Sequence, residues 1–190
     1  MIIGPDLEKV LINIDTSIKY DLAMLLVEAT IPIWEDYAKD PENLSYFDGV
    51  GGSYYIRYED TSGNYQVLEK DIANRSTKIL QEEKAKPGNQ VDVLQELCVK
   101  VKAHIDAINI WDDWQPEQVE YTLYAIYNFI QLYQGKFKGN EDIELNHIIK
   151  FAGDALVTSK HKTLDELLTS LYANSRYTQK ETEKPDDAAG

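Results

Sequence analysis

Carboxylates are the side chains best placed to do chemistry in this sequence, and two adjacent pairs stand out, Glu35-Asp36 and Asp112-Asp113. Paired acids serve general acid–base catalysis, or hold a divalent cation, when their oxygens converge on one point. Successive side chains on a helix are turned apart by about 100°, so neither pair converges by itself. Both are bracketed by aromatics, as Trp34-Glu35-Asp36-Tyr37 and Trp111-Asp112-Asp113-Trp114. Rigid aromatic side chains beside acids fit a protein-binding surface, where charge attracts a partner and the rings anchor it. These eight residues are therefore the candidate partner-binding residues. The competing reading of the second group is structural: one tryptophan plugs the core at a helix corner while the acids cap the next helix.

Other chemistry finds little support. The three histidines, His104, His147 and His161, lie on separate segments, and neither an HExxH motif nor paired cysteines occur, so no metal ligand set is expected. The single cysteine, Cys98, falls on an apolar helical stripe, where a free thiol behaves as a small hydrophobe, and it has no internal disulfide partner. Gly49-Val50-Gly51-Gly52-Ser53 lacks the Gly-Lys-Ser/Thr ending of a phosphate loop and reads as a flexible hairpin entry. No Gly-x-Ser-x-Gly elbow is present. The expectation is no catalytic residue, no metal and no cofactor; an enzyme with an unrecognised carboxylate site is an alternative.

Charge narrows the partners. The 19 Lys and Arg against 33 Asp and Glu give a net of −14, and residues 1–60 alone hold 12 acids and 4 bases. Such a field repels phosphate backbones and anionic membranes but speeds association with a basic protein. No segment approaches the roughly 20 apolar residues that span a bilayer, and the first residues carry no basic leader or signal-length apolar run. A cytoplasmic protein without nucleic-acid or membrane partners is expected; the sequence leaves the oligomeric state open.

The elements that must position these residues are mostly amphipathic helices. Leu22, Leu25, Leu26, Ala29, Ile33, Trp34 and Tyr37 recur at helical spacing between Asp15 and Lys39, with Asp15, Thr16 or Ser17 as cap and Pro32 predicting a kink or break near Thr30. Tyr54–Tyr58 and Tyr65–Glu69 alternate as the arms of a hairpin turned at Asp60-Thr61-Ser62-Gly63-Asn64. A helix over Asp71–Lys84 ends at Pro87-Gly88. Leu94, Leu97, Cys98, Val101, Ile105 and Ile108 then mark the most regular helix. Pro116 at the first helical position opens a helix carrying Val119, Leu123, Ile126, Ile130 and Tyr133 up to Gly135. Asn140 caps the next, with Leu145, Ile148, Ile149, Ala152, Ala155 and Leu156 as its stripe. Thr163 and Glu166 are spaced as a capping box before Leu164, Leu167, Leu168, Leu171 and Tyr172. The fold expected is mainly α: a single multi-helix, bundle-like domain over residues 1–176 with a small β-hairpin at 54–69, and a disordered tail over 177–190.

The segment Leu22 to Tyr37, followed by an acidic helical domain with Trp111-Asp112-Asp113-Trp114, resembles the all-helical immunity proteins of bacterial polymorphic toxin systems. In those families an early helix often carries a similar apolar stretch ending in proline and an aromatic; the hairpin departs from that pattern. The resemblance implies a small cytosolic protein that binds and neutralises a cognate toxin, with a basic toxin domain as partner, and it assigns no binding residue. An acidic helical adaptor or regulatory module for another protein is the alternative. If the second aromatic-flanked pair contacts the partner, replacing Asp112 and Asp113 together by Asn weakens protection against the toxin without changing the melting curve. A folded double variant that protects like the unaltered protein makes the pair a helix corner.

Overall fold

Apolar residues run round most of the segment from Val119 to Leu132, too widely for one amphipathic stripe, and a helix of that kind belongs in the middle of a bundle. This is α5 (Glu117–Tyr133), in which Glu117 is the single fully exposed position. Around it pack α2 (Thr16–Tyr37), α3 (Ile72–Ala85), α4 (Val91–Asn109) and α6 (Glu141–Thr158), with α1 (Pro5–Leu11) against α6. One continuous core cluster joins residues of all six helices. The computed structural model describes residues 5–47, 53–55, 57–59, 65–67, 69–109 and 116–163, with 166, 169 and 173 beyond them. The expected tail at 177–190 lies outside these residues. None of the described helices is long and apolar enough to cross a membrane.

Side-chain pairs fix the helix directions. Asn74 reaches Glu35 and Lys84 reaches Asp21, so α3 runs antiparallel to α2. Gln134 bonds Gln95, and Tyr127 lies beside Cys98, so α4 and α5 are antiparallel. Tyr20 packs edge-on against Tyr133, which sets α2 against α5 in the same sense, while Tyr124 stacks on Phe151 of α6. Lys19 meets Asp142 near the starts of α2 and α6, so those two run in parallel. One end of the bundle therefore gathers the C-termini of α2, α4 and α6 and the N-termini of α3 and α5.

Lys19 is among the most buried charged side chains of the described residues. Its side chain is 1% exposed, and its Nζ donates to both oxygens of Asp142 at 2.7 Å, while Thr16 Oγ1 donates to Oδ1 at 3.0 Å. A buried ammonium without a partner would cost several kcal/mol, so the pair constrains how α2 and α6 align. The hydrogen bond from Lys19 holds the Asp142 carboxyl below its usual range.

Several helix ends differ from expectation. Neither Asp15 nor Asn140 makes a side-chain cap bond; the Asp15 carbonyl accepts from Ile18 and Lys19, and the Glu141 carboxylate takes the Gly139 N–H at 2.9 Å. Pro116 is the cap residue, one position before the helix. Pro32 does not break α2, because it lies on the exposed face, where water can satisfy the carbonyl it leaves free. The Thr163–Glu166 capping box closes as expected, Glu166 N–H to Thr163 Oγ1 at 3.2 Å and Thr163 N–H to the Glu166 carboxylate at 2.7 Å. Gly135 directly follows the Gln134 cap of α5 at φ of 71°, a region side-chain-bearing residues avoid, and Gly88, at φ of 88°, turns the chain after α3 has ended at Ala85.

The hairpin is divided. β1 (Ser45–Phe47) pairs antiparallel with β2 (Ser53–Tyr55), and β3 (Arg57–Glu59) pairs with β4 (Tyr65–Val67), Tyr58 facing Gln66 across the ladder. The expected first arm thus serves two separate two-stranded sheets. Alternation within 54–58 could not reveal the switch, since period two continues through both strands.

Leu94, Leu97, Cys98, Val101, Ile105 and Ile108 are all buried, as their spacing predicts. Leu97 is 0% exposed, so Leu97→Ala should lower stability by about 2–5 kcal/mol in denaturant melts; a shift under about 0.5 kcal/mol would contradict this packing.

Candidate protein-binding surface

Residues 69 and 70 leave the second strand pair and enter α3, and two buried rings hold them there. Trp34 Nε1 donates to the Lys70 carbonyl at 2.7 Å. The Glu69 N–H donates to His104 Nε2 at 2.9 Å, and His104 Nδ1 lies 2.6 Å from the Lys100 carbonyl. A carbonyl only accepts, so the proton belongs on Nδ1 and the ring is neutral. Trp34 and His104 meet edge-on, centroids 5.5 Å apart, and both are 0% exposed. Burial pushes the imidazole below its ordinary pKa, against the weaker opposing pull of its hydrogen bonds to Lys100 and Glu69. Outside the rings, the Glu69 carboxylate takes Arg75 at 2.6 Å and Lys100 at 2.5 Å, and Glu96 bonds the same two cations at 3.1 and 2.7 Å. Lys100 holds the Glu96 carboxyl below its usual range.

This junction decides where the candidate residues fall. Trp34 lies in the core rather than on the surface, and Tyr37, 9% exposed, packs against it with centroids 5.7 Å apart. Neither ring is presented to a partner, which corrects their reading as exposed anchors. The reason is helical phase: both continue the inward stripe of Val27, Thr30 and Ile33. Glu35 and Asp36, one and two residues after Trp34, point outward, and Asp36 pairs with Lys39 at 2.5 Å. That hydrogen bond holds the Asp36 carboxyl low. Trp111, Asp112, Asp113 and Trp114 lie outside the described residues. The helices flanking them end at Asn109 and begin at Glu117, at the same end of the bundle as Trp34.

Sequence reasoning missed the full extent of the outward face of α2. Asp21, Leu25, Glu28, Pro32, Glu35 and Asp36 follow one another at intervals of mostly three and four, and all are exposed except Glu28, which is half-buried. Leu25 is 53% exposed between Asp21 and Glu28. Successive acids at 21, 28 and 35 stand about 10.5 Å apart along the axis, too far to share a metal ion or a proton but matched to a row of separate cations. From α3, Lys84 bonds Asp21, Gln81 Nε2 donates to Glu28 at 2.5 Å and Asn74 Nδ2 to Glu35 at 3.3 Å. The two amides orient Glu28 and Glu35 without cancelling their charge. The signal was available in the heptad spacing of the acids.

The remaining reactive groups are dispersed. Cys98 lines a shallow groove of about 380 Å³ between α4 and α5, along with Lys102, Asp106, Tyr127 and Lys136. Burial raises its thiol pKa, which leaves it a poor nucleophile. His147 contacts Glu144 at 3.4 Å and His161 contacts Ser159, both far along the chain from His104. Among the described residues no group of three or more His, Cys, Asp or Glu could hold a metal ion. The chain matches no protein-family model, no curated protein and no solved structure.

Proposed function

We propose that this chain is an immunity protein, which binds a cognate bacterial toxin and neutralises it by covering a basic active-site cleft. The observation that carries the reading is the outer stripe of α2, where acids two turns apart frame exposed Leu25 and Pro32. In a protein of net charge −14 this face draws a cationic cleft toward it, and the carboxylates take the place of substrate phosphates once it arrives. Exposed ion pairs contribute only about 0–1 kcal/mol each, so the lasting affinity must come from side chains that lose water on contact. Leu25 is the apolar group placed to do so. Asn74 and Gln81 hold Glu28 and Glu35 in place before the partner comes, which reduces the ordering cost of binding.

The proposal expects a secreted toxin to be encoded beside this protein, and the test uses that toxin. Its association rate should fall steeply as salt rises toward physiological strength, where screening acts beyond about 8 Å. The Glu28→Gln/Glu35→Gln/Asp36→Asn variant, with an unchanged melt, should associate about tenfold more slowly at low salt and protect cells less. A variant that associates and protects like the unaltered protein, or a neighbourhood with no toxin, contradicts the proposal.

A further inference from the structure

The segment carrying β1 to β4 is tied to the bundle by two legs of different character. At its start, Leu44 is buried and Asn43 Nδ2 donates to the Tyr37 carbonyl at 2.7 Å, contacts that do not depend on pH in the neutral range. At its close the tie is the Glu69–Lys70 junction, and between the legs β3 touches α4. Of the bonds at the second leg, the one to His104 requires a neutral ring, because Nε2 must accept the Glu69 N–H. The Glu69 carbonyl lies 3.3 Å from the same Nε2. A proton added there would face the Glu69 N–H donor at 2.9 Å, and its nearest new acceptor would be that carbonyl.

We infer that His104 is a proton-operated latch: the uncharged ring holds the strand-bearing segment against the bundle, and protonation releases it at the Glu69 end. The groups around the ring favour release over accommodation of the charge. From α4, Lys100 presents its carbonyl to Nδ1 and a cationic Nζ nearby. From the junction comes the Glu69 carboxylate, the natural counter-ion, but Lys100 and Arg75 already occupy it and Glu96 completes their network. From α2 comes Trp34, a neutral ring packed edge-on, with Tyr37 behind it. Burial that disfavours the imidazolium agrees with this geometry.

The direction with pH follows. The released ring takes up its proton near its ordinary value of about 6.5, whereas the latched ring resists it. The latch is therefore fully closed above that pH and weakens as pH falls through it. Because the latched ring resists the proton, the open fraction should rise between pH 7.5 and 5.5, by up to about tenfold.

Hydrogen exchange on the intact protein, corrected for the intrinsic pH dependence of the amide, measures the opening. Amides of Glu69 to Ile72 and of β3 and β4 should open more often at pH 5.5 than at 7.5, by up to about tenfold, while α5 stays protected. His104→Gln, whose amide oxygen accepts the Glu69 N–H at any pH, should abolish the response. Equal opening at the two pH values, the same acid response in His104→Gln, or an equal rise throughout α5 overturns the latch. Should His104→Gln not fold, the imidazole resonances of the unaltered protein decide: a ring that titrates near 6.5 without change in hairpin exchange also overturns it.

Discussion

The meeting of Trp34 and His104 over the peptide groups of Glu69 and Lys70 is the constraint from which this end of the bundle takes its form. Two long helices, α2 and α4, each contribute one ring, and consecutive residues of a third segment supply a donor and an acceptor. The fully buried indole N–H and imidazole nitrogen, left without partners, would cost about 1–3 kcal/mol each. The junction satisfies an N–H and a carbonyl at once while bringing three segments into register. With Trp34 turned inward, helical geometry leaves Glu35 and Asp36 no direction but outward. The stripe from Asp21 to Asp36 is the exterior consequence of that interior contact.

Charge is handled in two ways. Two buried ions are matched: Lys19 sits on Asp142, and the Glu83 carboxylate, 5% exposed in the residue as a whole, takes the backbone N–H groups of Gly88 at 2.5 Å and Gln90 at 2.9 Å just before α4. These contacts align helices and give the buried charges they hold hydrogen-bond partners. On α2 the acids are instead arrayed outward, Glu28 and Glu35 oriented by neutral amides and Asp21 and Asp36 paired with exposed lysines. That contrast separates two roles: the first kind of acid shapes the fold, and under the proposed function the second would attract a basic protein.

Most of the helical framework was legible in the sequence because each apolar stripe is local. The Leu94 to Ile108 stripe is buried at every position, and the Thr163–Glu166 box forms the bonds its spacing predicts. Contacts between distant residues left no such trace. Lys19 and Asp142 are 123 positions apart, and nothing local marks either as buried. The candidate surface was half legible: Glu35 and Asp36 lie outside, but Trp34 and Tyr37, which the spacing also placed on the apolar stripe of their helix, follow that stripe inside. The short helix Pro5–Leu11 was missed altogether, since seven residues display too little periodicity to stand out.

If the two rings act as one unit, their removal must not be additive. The direct measurement is a double-mutant cycle with Trp34→Phe and His104→Gln, read by denaturant melts at pH 7.5. Residues bonded to adjacent peptide groups and packed edge-on should show a coupling of about 0.5–3 kcal/mol. Losses that add to within about 0.3 kcal/mol would mean that the rings act independently, and the junction would no longer account for the arrangement of this end of the bundle.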